Sequence, residues 1–152
     1  MKSILTLTLN PAIDVSTEVD HVMPEEKLRC EQPRFEPGGG GINVSRAIKK
    51  LGGTSRAFYT GGGVMGSLFE ELVEKEALTH TRLPIEETTR QSFSVREANS
   101  GQQFRFIMPG PRLNEQEEEE VLNTLRRVDP APSYLVCSGS LPPGVPADYY
   151  AR

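Results

Sequence analysis

Short runs of alternating apolar and polar residues predict strands in this chain, and stretches with helical spacing separate them. Residues 4–9 alternate leucine with threonine, a strand pattern that ends at the Asn-Pro pair that follows. Apolar positions predict a helix over 44–51, which a pair of glycines ends. Residues 56–59 predict a second core strand, and a second helix follows the glycines at 61–63.

The pattern changes over residues 90–108, where apolar and polar residues alternate on both sides of an Asn-Ser-Gly turn. This arrangement predicts a β-hairpin with one apolar face. Helical spacing returns over 114–128, and Asn114 with Glu117 has the spacing of a helix cap. Residues 134–137 predict a buried strand.

Strands that alternate with helices predict an α/β fold with a mostly parallel sheet. We expect this core to comprise residues 1–14, 36–89 and 109–152. Residues 15–35 and the hairpin at 90–108 are expected to form a small β-layer, or lid, beside it. The chain stops where another helix is due, so we expect the core to be incomplete in these 152 residues.

Composition excludes several classes of partner. The 17 basic and 21 acidic residues give a net charge of -4, with no basic surplus to attract nucleic acid or an anionic membrane. No apolar run is long enough to span a bilayer, and the N-terminus lacks a signal-peptide core. Cys30 and Cys137 have no metal-binding spacing. These features predict a cytoplasmic protein with neither nucleic acid nor membrane as a partner.

A run of four glycines, Gly38–Gly41, forms the first candidate site. Glycines before a helix let a ligand approach the backbone closely and leave N–H groups free at the helix N-terminus. Asn43 lies in the first turn, where its amide can reach a hydroxyl. Asp14 follows the first strand, at the carboxyl end where α/β sheets place ligands. A carboxylate there can accept sugar hydroxyls, although a solvated turn aspartate would have the same sequence.

Basic residues near the predicted lid are candidates for binding phosphate. Arg90 and Arg105 flank the hairpin, and two guanidinium groups on one β-layer suit a phosphate. Lys27 is a further candidate, although exposed strand arginines such as Arg96 are common. Ser140 follows the last predicted strand. If the sheet is parallel, these strand-end positions converge on one crevice.

A second glycine motif supports a different function. Gly61, Gly63 and Gly66 satisfy G-x-G-x-x-G between a strand and a helix, as in a dinucleotide-binding oxidoreductase domain. The acidic residue expected about twenty positions later is only approximately matched by Glu86 or Glu87.

Taken together, these motifs resemble the PfkB family of ribokinase-like carbohydrate kinases. Residues 38–45, GGGGINVS, with Gly52 and Gly62 after them, are similar to that family's N-terminal signature. The resemblance extends along the whole chain, through LTLNPAID at 7–14, FEP at 35–37, FRFIMPG at 104–110 and SGSLPPG at 138–144.

The resemblance implies a ribokinase-like α/β core with a β-sheet lid, and lids that clasp one another in a homodimer. It implies that Asp14 binds sugar hydroxyls and that Lys27 meets a ligand phosphate, that of the ATP cofactor, either within its own subunit or across the dimer. The positions that match the family's residues for the sugar phosphate are Asp14, Gly38, Gly39, Asn43, Arg90, Arg105 and Ser140.

The resemblance also implies an ATP- and Mg²⁺-dependent sugar-phosphate kinase. Gly40 stands where the 1-phosphofructokinase and tagatose-6-phosphate kinase branch carries lysine, which favours fructose 6-phosphate as the substrate. The family's catalytic aspartate belongs to a G-A-G-D motif that this sequence lacks, so we expect it beyond Arg152. The chain is then the sugar-binding part of a kinase, inactive alone. The alternatives are the dinucleotide-binding domain and a sugar-phosphate-binding or dimerising module without chemistry.

Overall fold

The computed structural model describes residues 3–151, which form eight strands, three α-helices and one 3₁₀ turn. The strands are β1 (Ile4–Thr8), β2 (Ala12–Val19), β3 (Arg34–Gly38), β4 (Arg56–Gly61), β5 (Thr79–Pro84), β6 (Arg90–Glu97), β7 (Gln103–Ile107) and β8 (Tyr134–Cys137). The helices are α1 (Gly40–Lys50), α2 (Gly63–Lys75) and α3 (Glu115–Arg126), and the 3₁₀ turn is Tyr149–Ala151. Within this part of the chain no helix is both long and apolar enough to cross a bilayer.

Four parallel strands form the first sheet, in the order β5-β4-β1-β8, which confirms the predicted α/β fold. The leucines of β1 pack with the apolar residues of α3, and its threonines face α1. Thr6 Oγ1 lies 2.9 Å from Ser45 Oγ, and Thr8 Oγ1 accepts a hydrogen bond from the backbone N–H of Ile42. The leucine–threonine alternation therefore belongs to a strand that is buried on both faces.

The second sheet has the order β3-β2-β6-β7, with β2 and β6 parallel and the other pairs antiparallel. Pairing of β6 with β7 confirms the hairpin predicted at 90–108. The other two strands begin at Ala12 and end at Gly38, outside the predicted range 15–35. The reason is that the antiparallel ladder of β2 and β3 continues until Ala12 pairs with Gly38.

The outer strands of the first sheet depart from the sequence analysis. The prediction that residues 134–137 are buried is wrong for Tyr134 and Leu135, which are 49% and 48% exposed. Within residues 3–151, β8 pairs only with β1, so its outer edge faces solvent. Sequence patterning also missed β5, an edge strand in which only Leu83 is buried and most other residues are polar.

The start of α3 has the predicted cap. Asn114 Oδ1 accepts a hydrogen bond of 2.9 Å from the N–H of Glu117, and Glu117 Oε2 accepts one of 2.8 Å from the N–H of Asn114. This reciprocal pair is a capping box, which satisfies two backbone donors at the helix N-terminus. The Asn-x-x-Glu pattern is thus a structural cap.

Candidate functional site

The two sheets meet where β3 leads into α1, beside the carboxyl end of β1. Gly38 ends β3 against the side chain of Asp14, and a Cβ added to Gly38 would lie 2.2 Å from Asp14 Oδ2. Gly39 follows with φ of 124°, a backbone conformation that side chains disfavour. Glycine at position 38 therefore leaves room for the Asp14 carboxylate, and glycine at position 39 permits the backbone conformation that follows.

The helix N-terminus offers fewer free N–H groups than its sequence suggests. The N–H of Gly41 donates to the carbonyl of Ser138 at 3.2 Å, and that of Ile42 donates to Thr8 Oγ1. These two donors hold α1 against β1 and against the loop after β8.

Asp14 is the central acidic group of this site. It lies on β2, opposite Glu36 of β3 on one side and Ser92 of β6 on the other, and its side chain is exposed. Loss of hydration raises its pKa above the ordinary value, and the positive charges of Arg90 and then Arg105 act in the opposite direction. The carboxylate therefore lies within the electrostatic reach of both predicted phosphate-binding arginines.

Arg90 begins β6 and is fixed by backbone carbonyls. Its Nη1 donates to the carbonyl of Met108 and its Nη2 to the carbonyl of Asn10, both at 3.2 Å. Its Nε is buried and has no acceptor among the described residues. Burial lowers the pKa of Arg90, and the charge of Asp14 raises it. The guanidinium group is thus held in place and partly removed from water, and partial removal from water strengthens its attraction to an anion.

Arg105 lines a cavity of about 220 Å³ together with Asp14, Glu36 and Ser92. Its side chain is exposed and makes no hydrogen bond or ion pair within residues 3–151. The carboxylates on β2 and β3, which can accept hydrogen bonds from hydroxyl groups, therefore line the same cavity as the guanidinium group of Arg105 on β7.

Ser140 reaches the site from the loop after β8. Its Oγ accepts a hydrogen bond of 3.0 Å from Asn10 Nδ2, and the same loop packs on the glycine run, where a Cβ at Gly40 would lie 2.4 Å from the N of Gly139. Asn43 is exposed in the first turn of α1, and its N–H donates to the carbonyl of Gly39.

None of the contacts described above includes Lys27. It is exposed in the segment between β2 and β3 and makes no hydrogen bond or ion pair in the part of the chain that the structure describes. The structure brings the other predicted residues together around the junction of the two sheets: Asp14, Gly38, Gly39, Asn43, Arg90, Arg105 and Ser140.

Three further residues at this junction were not singled out from the sequence. Glu36 and Ser92 face Asp14 through strand register, which a single sequence does not reveal. Asn10 was interpreted as the end of a strand and as part of the family-like segment at 7–14, without a role in the site, yet it bonds to both Ser140 and Arg90. Its position at the carboxyl end of a parallel strand is the signal that could have identified it.

The second glycine motif, at Gly61–Gly66, is occupied by the protein itself. The N–H of Gly62 donates to Thr89 Oγ1, and the N–H of Thr89 donates to the carbonyl of Gly62. A Cβ at Gly62 would lie 2.0 Å from the carbonyl oxygen of Glu87. Residues 85–89 therefore fill the space that a dinucleotide pyrophosphate needs, which argues against an oxidoreductase domain.

Known sugar kinases have sequences similar to this chain. The chain is 49% identical over 149 residues to the ATP-dependent 6-phosphofructokinase isozyme 2 of Mycobacterium tuberculosis, covering 98% of this chain and 44% of that protein. It is 44% identical over 145 residues to the enzyme of the same name from Escherichia coli, covering 95% and 47%. The chain thus spans about half the length of the curated relatives it matches.

A solved structure of a phosphofructokinase has the same fold. Phosphofructokinase-2 from Escherichia coli in complex with fructose-6-phosphate superimposes with a TM-score of 0.91 at 42% identity, covering 99% of this chain and 49% of that one. The fold is therefore the ribokinase-like α/β fold. A family model described as pfkB family carbohydrate kinase matches residues 6–152. The chain belongs to the pfkB family of carbohydrate kinases.

Proposed function

We propose that this chain is the sugar-phosphate-binding part of an ATP-dependent kinase that converts fructose 6-phosphate to fructose 1,6-bisphosphate. The observation that carries the proposal is that Asp14, an acceptor for sugar hydroxyls, lines one cavity with Arg105 and also lies within the electrostatic reach of Arg90. One site thereby offers an acceptor for sugar hydroxyls and two guanidinium groups for a phosphate.

The sugar lies against the glycine run in this proposal. The Asp14 carboxylate accepts hydrogen bonds from sugar hydroxyls, and the backbone of Gly38 and Gly39 contacts the ring because no side chain stands in the way. Asn43 adds an exposed amide from the first turn of α1. These groups orient the sugar without neutralising its phosphate.

The phosphate is bound at the lid side of the site. Arg90 is positioned by two carbonyls, Arg105 is unpaired within residues 3–151, and Ser140 adds a hydroxyl. We assign Lys27 to a phosphate of ATP, contributed across a dimer, because this exposed lysine makes no hydrogen bond or ion pair within residues 3–151 and matches a phosphate-binding cation of the family.

Fructose 6-phosphate is the proposed substrate for a structural reason as well. A Cβ at Gly40 would lie 2.4 Å from the N of Gly139 and 2.5 Å from Ser138 Oγ. A lysine at this position, as in the related branch, requires the loop after β8 to move. The loop after β8 therefore leaves no room for a side chain at position 40. The names of the relatives, ATP-dependent 6-phosphofructokinase isozyme 2, support the same substrate.

Binding without phosphoryl transfer is the activity we propose for residues 1–152 by themselves. They contain no G-x-G-D segment to supply a catalytic base and an anion hole. Residues 3–151 hold no group of three His, Cys, Asp or Glu side chains that could bind a metal ion. A coupled assay with ATP and fructose 6-phosphate should show no turnover by the chain alone.

We propose a homodimer through the second sheet. Phe35, Phe93 and Phe106 stand in one row across the sheet, in register with Val15, and are 42%, 36% and 51% exposed. Phe93 and Phe106 are paired on adjacent strands, and adjoining exposed apolar side chains are typical of an interface. The proposed setting is the cytoplasm, where the free cysteines Cys30 and Cys137 would stay reduced.

A thermal-shift titration with fructose 6-phosphate, fructose and NAD tests the proposed function. Ligand that binds the folded state raises the melting temperature with concentration. We expect a saturable increase with fructose 6-phosphate, a weaker one with fructose and none with NAD. A cooperative transition that fructose 6-phosphate leaves unchanged would overturn the proposal.

A further inference from the structure

Asn10 stands where the core, the lid and the loop after β8 meet. It follows β1, is 93% buried, and contacts two of the residues that we assign to phosphate binding. Its side-chain Nδ2 donates to Ser140 Oγ at 3.0 Å, and its backbone carbonyl accepts from Arg90 Nη2 at 3.2 Å. One residue thus touches both groups.

The orientation of the Asn10 amide is fixed by its surroundings. The carbonyl oxygen of Leu141 lies 3.5 Å from Nδ2, and a carbonyl can only accept a hydrogen bond. The amide nitrogen must therefore face the loop after β8, with Oδ1 on the opposite side. On that side Oδ1 is packed against the loop after β7, where a Cβ at Gly110 would lie 2.0 Å from it, so the amide cannot shift away from Ser140.

This orientation sets the direction of the Ser140 hydroxyl. A serine hydroxyl has one proton to donate and lone pairs that accept. Because Asn10 Nδ2 occupies a lone pair of Ser140 Oγ, the Ser140 proton points elsewhere. A phosphate oxygen is an acceptor and needs a donor, so the amide leaves Ser140 in the state that suits a phosphate.

The amide is not explained by its contribution to packing. Asn10 Oδ1 is buried and has no hydrogen-bond partner among the described residues. A buried polar atom without a partner costs free energy, and this cost opposes the stability gained from the hydrogen bonds of Nδ2. The donations that only an amide provides here go to Ser140 Oγ at 3.0 Å and to the Leu141 carbonyl at 3.5 Å, and the shorter one reaches a residue of the proposed site.

From this geometry we infer that Asn10 is a positioning residue for the substrate phosphate, acting through the Ser140 hydroxyl while its backbone carbonyl anchors Arg90. The inference rests on the proposed function and adds a residue to its site. Asn10 itself touches no substrate in this account. Its side chain changes phosphate affinity only as long as Ser140 has a hydroxyl to orient.

A double-mutant cycle tests this dependence. Calorimetry measures the dissociation constant for fructose 6-phosphate in the wild-type chain, Asn10→Ala, Ser140→Ala and the double variant. Each single substitution should weaken binding about tenfold, the equivalent of about one hydrogen bond. The double variant should be no weaker than Ser140→Ala alone. Asn10→Asp keeps the side-chain shape but turns the donor into an acceptor, so it should weaken binding more than Asn10→Ala.

Thr60→Val is the matched control. Thr60 Oγ1 donates to the carbonyl of Leu9, so its loss removes a buried hydrogen bond beside Asn10 and leaves Ser140 untouched. Affinity should stay within twofold of the wild type even though stability falls. Urea unfolding of each variant separates the two effects.

The outcomes distinguish the inference from the proposed function. Additive losses in the double variant, or equal losses in Thr60→Val and Asn10→Ala, would refute the role of Asn10 while leaving the site intact. Unchanged affinity in Asn10→Asp would do the same if Asn10→Ala does not fold. A wild-type chain that binds no fructose 6-phosphate would overturn the proposed function and this inference together.

Discussion

The carboxylate of Asp14 lies directly against the backbone of Gly38, so that a methyl group on Gly38 would stand 2.2 Å from Asp14 Oδ2. Gly38→Ala must therefore displace the carboxylate from the sugar site. We expect affinity for fructose 6-phosphate to fall by about tenfold or more, because a hydrogen bond to a charged group contributes about 1.5–3 kcal/mol. Calorimetric titration measures the change.

Gly101→Ala is the control for this substitution. Gly101 lies in the hairpin turn with φ of 72° and has no atom within 4 Å of an added Cβ. An alanine there costs about 1 kcal/mol of stability through backbone strain alone. Affinity should remain at the wild-type value, and equal losses in the two variants would show that Gly38 acts through stability.

Arg90→Ala should weaken binding of fructose 6-phosphate by about 10- to 100-fold, the equivalent of about 1.5–3 kcal/mol for a charge-assisted hydrogen bond. Arg96→Ala serves as the control, since Arg96 lies on the same strand and pairs with Glu18 on the surface. In the intact enzyme, Arg90→Ala should raise the KM for the sugar phosphate more than that for ATP. An unchanged sugar KM would remove Arg90 from the site.

Asp14→Asn should stabilise the chain at neutral pH while weakening sugar binding. Because its pKa is raised in the folded state, protonated Asp14 favours folding below pH 3.8, its ordinary pKa, and this contribution is lost as the pH rises through the raised pKa. The ionised carboxylate therefore costs stability at pH 7, and asparagine removes that cost. Urea unfolding should show a higher midpoint for the variant at pH 7.

The stability gain of Asp14→Asn should shrink as the pH falls towards 3.8, because wild-type Asp14 then becomes protonated as well. The effect is limited by the exposure of the side chain to solvent. A variant that is less stable than the wild type at pH 7 would mean that attraction to Arg90 and Arg105 outweighs the loss of hydration.

The row of phenylalanines on the second sheet predicts self-association. Phe106→Asp places a charge in the proposed interface and should convert a dimer of twice 16.8 kDa into a monomer, measured by light scattering. Leu51→Asp is the control, since Leu51 is 88% exposed at the end of α1, away from the second sheet. A wild-type monomer, or dissociation by both variants, would contradict the lid dimer.

Local patterns predicted most of the fold. The strand at 4–9, the hairpin at 90–108 and the cap at Asn114 each depend on neighbouring residues and were correct. Strand β5 and the exposure of Tyr134 were missed because position within a sheet, at an edge or at the centre, decides how a strand is buried.

The sequence predicted which residues form the site better than it predicted the contacts between them. Strand-end residues such as Asp14 and Ser140 were identified because parallel strands end at one edge of a sheet. Glu36 lies beside Asp14 only through the register of β2 and β3, and Asn10 reaches Ser140 across 130 positions of the sequence. Such pairings depend on tertiary structure, which a local pattern does not contain.

Hydrogen exchange of the chain with and without fructose 6-phosphate tests the central claim most directly, because it locates the ligand on the backbone. We predict that bound fructose 6-phosphate slows exchange in peptides that contain Gly38–Gly40, Arg90 and Ser140, while the turn at 61–66 is unchanged. Slowed exchange confined to 61–66, or none anywhere at a saturating ligand concentration, would contradict a sugar-phosphate site at the junction of the two sheets.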